Sequence, residues 1–224
     1  MNAITISGLD KSFGTHRVFD RLDFSVKRGE IVAVLGASGC GKSTLLRCIA
    51  GLEKSDGGTI EVAGEIGFVF QEPRLFPWLT VEKNVAFAAR TEIERARVPD
   101  VLALVGLSNA ASRLPKELSG GMAQRASLAR TLVRNPSTIL LDEPLAALDA
   151  LRRIELRTAL REIIRDAGAT AVLVTHDVDE ALAFADRVVV LSRATGSTVR
   201  AIEPARGLQL GARATLLAAL GVSA

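Results

Sequence analysis

A glycine-rich segment, GASGCGKST, separates an apolar run from an amphipathic stretch in the first quarter of the chain. It fits the pattern G-x-x-x-x-G-K-[ST] at Gly36, Gly41, Lys42 and Ser43. The preceding run, EIVAVL, is typical of a short buried strand, and the following KSTLLRCIAGL has the spacing of a helix. A strand, a loop and a helix in this order predict an α/β fold in which the loop lies at one edge of a sheet.

The same loop predicts a site for phosphate groups. Glycines allow successive backbone N–H groups to surround phosphate oxygens at the N-terminus of a helix. Lys42 is expected to neutralise the terminal phosphates, and Ser43 to reach Mg²⁺. For Cys40 and Thr44 the alternative is a role in loop geometry and packing alone. The predicted nucleotide-binding segment consists of Gly36, Ala37, Ser38, Gly39, Cys40, Gly41, Lys42, Ser43 and Thr44.

Two adjacent carboxylates follow another apolar run, in the stretch TILLDEP. A buried strand that ends at Asp142 would put this carboxylate at the carboxyl edge of the sheet, where it is expected to hold the Mg²⁺ shell. Glu143 is expected to polarise the attacking water as a general base. The alternative is a pair of acids that caps the turn at Pro144. Beside a phosphate-binding loop, the catalytic interpretation is favoured.

Two further polar side chains follow predicted strands. His176 comes after TAVLVT, so we expect it at the same sheet edge as the glycine-rich loop, in contact with the γ-phosphate or the water. The alternative is a polar cap of the next helix, DVDEALAFA. Gln71 follows GFVF and is predicted to reach the metal or the water, the alternative being a turn residue.

The pattern of the whole chain predicts a mainly parallel sheet. Strand-like runs recur in EIVAVLG, TILLDE, TAVLVTH and RVVVLS, with helical segments between them. GTIEVAGEIGFVF predicts short strands around a glycine turn, and an antiparallel β edge is expected. We expect one domain over 1–224, with a core of about 1–79 and 136–224 and an inserted α-helical subdomain over about 80–135.

Composition limits the classes of function. The formal net charge of +3 is spread over interleaved acids and bases, which argues against a nucleic-acid partner. Cys40 and Cys48 are the two cysteines, and no secretory segment opens the sequence, so a reducing, cytosolic compartment is expected. No apolar run approaches the roughly 20 residues that cross a bilayer, so membrane association is expected only through another protein.

The stretch LSGGMAQRASLAR begins a helical pattern with two adjacent glycines, which are unfavourable inside a helix. Ser119, Gly120 and Gly121 would start this helix with exposed N–H groups. Those groups and the positive end of the helix dipole make an anion site.

These motifs, in this order, resemble the nucleotide-binding subunit of an ATP-binding cassette (ABC) transporter over nearly all of the chain. The family's elements are an aromatic A-loop, Walker A, Q-loop, signature, Walker B, D-loop and switch histidine. They are matched here by Phe13, GASGCGKST, Gln71, LSGGM, TILLDE, Asp149 in AALD, and His176. The resemblance implies a P-loop NTPase core that binds and hydrolyses ATP with Mg²⁺, and it implies that Phe13 stacks on adenine.

The resemblance also implies a second copy of the chain as a partner. In the family, a head-to-tail dimer encloses two ATP molecules, each between the Walker A loop of one chain and the signature helix of the other. Ser119, Gly120 and Gly121 are thus expected to complete the pocket of the second copy. Met122 stands where glutamine is commonest, which leaves the phosphate-binding residues unchanged.

The stretch FVFQEPRLFPWLTVEKNVAF resembles the ATPases of bacterial nitrate, sulfonate and taurine importers. The partners implied are integral membrane permease subunits and, indirectly, a periplasmic or extracellular substrate-binding protein. The chain would be peripheral, on the cytoplasmic face of the bacterial inner membrane. Phe76, Pro77, Trp78 and Leu79 would offer apolar groups to the coupling helix of the permease, the alternative being a small satellite core under a loop.

Two other classes of protein share part of this pattern. A non-transport ABC ATPase, acting as a nucleotide-dependent switch, is the main alternative, but such proteins usually carry a long coiled coil or two fused cassettes. A small-molecule kinase would need a second substrate pocket and gives no reason for LSGG. We therefore expect an ATPase subunit that energises uptake of a small anion such as nitrate, a sulfonate or taurine.

Overall fold

The computed structural model describes residues 1–145, 150–192 and 198–202, together with Leu216 and Leu220. The chain divides into two compact units: Met1–Gly64 with Thr170–Ala224, and Glu65–Ala169. Both strands and helices are present, which confirms the predicted α/β class. The residue bounds predicted for the core and for the inserted helical subdomain stay predictions.

The strands of the described residues follow the predicted apolar runs, with additions at both ends. They are β1 (Asn2–Phe13), β2 (His16–Lys27), β3 (Ile31–Gly36), β4 (Gly57–Val62), β5 (Ile66–Val69), β6 (Thr138–Asp142), β7 (Thr170–Thr175), β8 (Arg187–Ser192) and β9 (Thr198–Ile202). The helices are α1 (Lys42–Ile49), α2 (Val81–Ala88), α3 (Glu92–Ala96), α4 (Val98–Leu104), α5 (Gly120–Leu132), α6 (Ala150–Asp166) and α7 (Val178–Phe184), with short 3-10 turns at Ser108–Ala110 and Pro115–Glu117.

The first unit contains an antiparallel sheet and a parallel one. β2, β1 and β4 form the antiparallel sheet in that order. β7, β3 and β8 run parallel to one another, and β9 pairs with β8 in the antiparallel direction. Every residue of β3 and β7 is buried, as expected for apolar strands whose two faces are both covered.

An ion pair ties the entry of β3 to the entry of β8. Arg187 Nε donates to Glu30 Oε1 at 2.7 Å, and the N–H of Lys27 donates to Glu30 Oε2 at 2.8 Å. Burial opposes ionisation of Glu30, but the hydrogen bonds from Arg187 and Lys27 outweigh it and hold the pKa of this carboxyl below its usual value. The pair therefore stabilises the ionised form of Glu30.

The second unit pairs β5 with β6 in parallel, and its other described elements are helices and 3-10 turns. Helices and 3-10 turns occupy most of the stretch over 81–132, as its pattern predicts. The glycine turn at Gly64 separates the two strands that its pattern predicts, but these strands do not pair with each other. β4 joins the antiparallel sheet beside β1, whereas β5 joins β6.

Candidate nucleotide-binding and catalytic site

The glycine-rich loop joins β3 to α1 in the first unit, so the predicted strand, loop and helix are all present. A Cβ atom on Gly36 would collide with Cys40 Sγ. Gly41 has a φ of 105°, and a Cβ atom there would lie 2.6 Å from Val18 Cγ1. The loop therefore requires glycine at both positions, one for close approach and the other for backbone conformation as well.

Lys42 points its ammonium group back into this loop. Its Nζ donates to the backbone oxygen of Gly36 at 2.8 Å and to that of Ala37 at 3.1 Å, and the residue is buried. Backbone oxygens solvate the charge without neutralising it, so a positive charge stays inside the loop. This arrangement suits the binding of a phosphate group.

His176 directly follows β7, the neighbour of β3 in the parallel sheet. The register pairs Leu35 with Thr175, so the carboxyl ends of the two strands meet at one edge. His176 is exposed at that edge. The glycine-rich loop and His176 therefore lie at the same edge of the sheet, while the catalytic role of His176 stays a prediction.

A buried pair of polar side chains shapes the turn that carries His176. The Thr175 hydroxyl donates a short hydrogen bond to the buried carboxylate of Glu180 and accepts one from the N–H of Asp177 at 3.1 Å. Asp177 Oδ1 in turn accepts from the N–H groups of Asp179 and Glu180, which caps α7. Neither Thr175 nor Glu180 is identified as a site residue from the sequence, because only the folded turn brings them together.

In the second unit, the predicted acids and Gln71 follow a pair of parallel strands. Asp142 is the buried last residue of β6, and Gln71 comes two positions after the end of β5. Val69 pairs with Leu141, so both strands end at the same edge. Glu143 has a φ of 43°, in the left-handed region that non-glycine residues seldom adopt. The strand end therefore turns sharply at the proposed general base.

The signature stretch starts α5 at the predicted point. Ser119 is the N-cap residue, and its side chain accepts a hydrogen bond from the N–H of Met122 at 3.3 Å. The first turn of this helix carries no acidic side chain, and Gly120 is exposed. The positive end of the helix dipole is therefore accessible without a charged side chain of opposite sign in that turn.

Phe13 ends β1 at the hairpin that leads into β2. The residue is 48% exposed, and Lys11 Nζ lies 4.7 Å from the ring centroid. Lys11 also forms an ion pair of 2.6 Å with Glu53. The exposed ring has the accessibility that stacking on adenine requires, and this role stays a prediction.

An aromatic surface follows Gln71 in the second unit. Phe76 lies 5.6 Å from Trp78 and 4.7 Å from Phe87 between ring centroids, and Trp78 and Phe87 are 72% and 66% exposed. We call these three residues the aromatic ledge. Phe76 and Phe87 of the ledge also line a cleft of about 430 Å³, whose wall includes Phe68, Phe70, Arg90 and Arg130. Phe87 is not identified from the sequence, because a single phenylalanine in a helix has the default interpretation of a core residue.

Some expectations fall outside these sites. Asp149, the predicted D-loop residue, lies outside the described residues. Among the described helices, none combines the length and apolar character needed to cross a bilayer.

Comparison with known proteins identifies the family. The ABC transporter family model matches residues 19–146. Aliphatic sulfonates import ATP-binding protein SsuB 2 of Pseudomonas syringae pv. tomato is 50% identical over 188 residues, covering 84% of this chain and 81% of that protein. Aliphatic sulfonates import ATP-binding protein SsuB 3 of Paraburkholderia xenovorans is 46% identical over 220 residues, covering 98% of this chain and 88% of that protein.

Solved structures of ATP-binding cassettes share the fold. One is a dimeric cassette in a post-hydrolysis state, bound to ADP and Pi; it is 30% identical with a TM-score of 0.75, and the match covers 92% of this chain and 100% of that one. Another is cbiO1 of Clostridium perfringens, part of the ABC transporter complex cbiONQ. It is 28% identical with a TM-score of 0.81, and the match covers 97% of this chain and 91% of that one. The chain therefore belongs to the ABC transporter family, as an ATP-binding subunit that hydrolyses ATP.

Proposed function

We propose that this chain is the ATPase of an importer of aliphatic sulfonates. The observation that carries the proposal is identity of 46% over 98% of the chain to a protein named for the import of aliphatic sulfonates. Among the nitrate, sulfonate and taurine classes expected from the sequence, this identity favours sulfonates.

We assign the ATPase roles to the motif residues. The backbone N–H groups of the glycine-rich loop and the ammonium of Lys42 bind the phosphates of ATP, and Phe13 stacks on adenine. Glu143 accepts a proton from water as the water oxygen bonds to the γ-phosphorus and the bond to the ADP oxygen breaks. His176 and Gln71 hold the water and the γ-phosphate in position.

The oxygen-bearing residue types of the motifs fit Mg²⁺. This ion is usually held by one or two carboxylates and by substrate phosphates, with water completing an octahedron. We propose Asp142, the Ser43 hydroxyl and the Gln71 amide oxygen as the donors that would hold the ion, and the described residues contain no group of three or more acids, histidines and cysteines that could hold a metal. Bound Mg²⁺ would neutralise charge on the β- and γ-phosphates.

We further propose that ATP is enclosed between two copies of the chain. Ser119, Gly120 and Gly121 of one copy would bind the phosphates held by the glycine-rich loop of the other. The dimeric state of a related cassette bound to ADP and Pi supports this proposal. Closing and opening of the dimer would then be the step that drives transport.

The remaining partners are membrane subunits. The aromatic ledge and its cleft would receive the coupling helix of an integral membrane permease, which keeps the chain peripheral on the cytoplasmic face of the inner membrane. A periplasmic or extracellular sulfonate-binding protein would deliver the substrate to that permease. The related cbiO1 is likewise part of a transporter complex.

Growth on different sulfur sources tests this function. Cells that lack the gene should fail to grow with ethanesulfonate as the sole sulfur source and should recover with the wild-type gene but not with Lys42→Ala. Growth on sulfate should be unaffected throughout. Normal ethanesulfonate uptake in the deletion strain, with loss of nitrate or taurine uptake instead, would reassign the substrate. Normal uptake of ethanesulfonate, nitrate and taurine would favour a nucleotide-dependent switch outside transport.

A further inference from the structure

One fully buried side chain holds the loop that carries the aromatic ledge. Asn84 lies in α2 and is 0% exposed. Its Oδ1 accepts from the N–H of Phe76 at 2.8 Å, and its Nδ2 lies 3.1 Å from the backbone oxygen of Phe76, 2.9 Å from that of Leu79 and 3.1 Å from that of Thr80. A single carboxamide thus bonds to the backbone at both ends of the segment 76–80.

These contacts replace the hydrogen bonds of regular secondary structure. The segment 76–80 is neither helix nor strand, so its polar backbone groups need other partners. Asn84 supplies them, and the N–H of Leu79 donates to the backbone oxygen of Phe76 at 3.1 Å to close the turn. Arg130 of α5 bonds to the backbone oxygens of Pro73 and Arg74 at 3.0 and 2.7 Å. The loop before α2 is therefore fixed from two helices.

In the sequence, Trp78 lies between two residues whose backbone groups are hydrogen-bonded to the Asn84 side chain. Phe76 is fixed through both its N–H and its oxygen, and Leu79 through its oxygen. Trp78 nevertheless exposes 72% of its surface. A large apolar ring is thus presented to solvent on a backbone that has little freedom to move. Such a surface loses less conformational entropy on binding than a mobile loop would.

We infer that Asn84 is a positioning residue that keeps the permease-docking surface preformed in the free subunit. The inference rests on the proposed docking role of the aromatic ledge. Without the Asn84 carboxamide, the backbone groups of Phe76 and Leu79 turn to water and the loop samples several conformations, while the Thr80 oxygen keeps the backbone N–H of residue 84 as its donor. Docking then has to order the loop again, so coupling to transport weakens while the chemistry of ATP hydrolysis is untouched.

Fluorescence of the free subunit tests the positioning directly, because Trp78 is the single tryptophan of the sequence. Asn84→Ala should lower the steady-state anisotropy of Trp78 and speed hydrogen exchange in the segment 76–80. Asn84→Asp should have the same effect, because it keeps the acceptor for the Phe76 N–H but turns an oxygen toward the backbone oxygens. Basal ATPase of both variants should stay within about twofold of wild type.

Val85→Ala is the matched control. Val85 is the next residue of α2, is also 0% exposed, and is apolar. Its truncation opens a cavity and lowers the unfolding temperature, yet leaves every Asn84 hydrogen bond in place. Trp78 anisotropy should therefore stay at the wild-type value in Val85→Ala. A loss of anisotropy equal to that of Asn84→Ala would mean that α2 stability, and not the carboxamide, orders the loop.

Sulfonate uptake in cells completes the test. We expect Asn84→Ala and Trp78→Ala each to lower uptake about tenfold at equal protein levels. Wild-type anisotropy together with wild-type uptake in Asn84→Ala and Asn84→Asp would overturn the inference. If anisotropy falls but Trp78→Ala transports normally, the ledge is not the docking surface; the proposed docking site then fails, and the inferred role for Asn84 in docking fails with it.

Discussion

At the scale of single residues, Gly41 meets two requirements at once. Its φ of 105° is costly for any side chain, and a Cβ atom would lie 2.6 Å from Val18 Cγ1 and 3.0 Å from Phe19 Cε1. Gly51 has a φ of 68°, but a Cβ atom there meets nothing within 4 Å. The two glycines therefore separate the effect of conformation from the effect of packing.

We predict different costs for Gly51→Ala and Gly41→Ala. Gly51→Ala should lower the free energy of unfolding by about 1 kcal/mol, because only the backbone conformation is strained. Gly41→Ala should cost at least about 2 kcal/mol more, because β2 must also shift. It should also lose most binding of MgATP. Denaturant unfolding would measure the loss of stability, and nucleotide titration would measure the loss of MgATP binding. Equal losses of unfolding free energy in the two variants would mean that β2 shifts without an energetic cost.

Glu143→Gln tests the general base. The variant should bind MgATP like wild type but turn over at least about 100-fold more slowly, because the amide cannot accept the proton of the attacking water. Glu72→Gln, which changes an exposed acid beside Gln71, is the control and should keep wild-type turnover. Steady-state phosphate release would show the difference. Near-normal turnover in Glu143→Gln would remove Glu143 from the base role.

At the scale of elements, the N-terminus of α5 separates a structural from a functional effect. Ser119→Ala should lower the free energy of unfolding by about 1 kcal/mol, because the cap to the Met122 N–H is lost. ATP hydrolysis should persist, because the bare N–H groups remain. Ser119→Arg should abolish hydrolysis while MgATP binding survives, since the large side chain fills the phosphate position of the second copy. Wild-type hydrolysis in Ser119→Arg would exclude a pocket shared between two copies.

At this scale, the sequence predicts the elements whose own residues carry a clear pattern. β3, β6, β7 and β8 are continuous apolar runs, and α1 and α5 each follow a glycine-containing start. β1 has a weaker signal, because Gly8, with a φ of 60°, and a register shift between Ile6 and Leu9 interrupt its alternation. The pairing of β4 and β5 is set by distant strands, so a local glycine turn predicts the strands but not their partners.

The residues of the candidate site likewise fall into those that a sequence pattern predicts and those that it does not. Lys42, Asp142 and Ser119 are predicted from motifs, because phosphate and metal chemistry demands those residue types at fixed positions along the chain. Asn84 and the pair of Thr175 and Glu180 are not, because their roles exist only through contacts that the folded loops create. Supporting residues of this kind are therefore systematically harder to predict than the groups they position.

At the scale of the whole molecule, the ion pair of Glu30 with Arg187 gives a pH dependence of stability. The pKa of Glu30 is lowered in the folded state, so its contribution is fully present above the unfolded pKa of about 4.3 and is lost as pH falls through the folded value. Glu30→Gln should lower the free energy of unfolding by about 1 to 2 kcal/mol at pH 7. This difference should shrink below about pH 4.

Unfolding by denaturant at several pH values would check this dependence. Glu61→Gln, which changes an exposed acid in the same unit, is the control and should match wild type at every pH. A difference between wild type and Glu30→Gln that is constant from pH 7 to pH 3 would show that packing, and not ionisation, carries the contribution of Glu30.

The strands that pair with β3 are synthesised long after β3 itself. β3 pairs with β7 and β8, which the ribosome makes more than 130 residues later, whereas the second unit, Glu65–Ala169, is contiguous. At translation speeds of about 5 to 20 residues per second, the wholly apolar β3 waits roughly 7 to 30 seconds for its partners. Nascent chains should therefore bind chaperones through this strand, and slow translation should increase their aggregation.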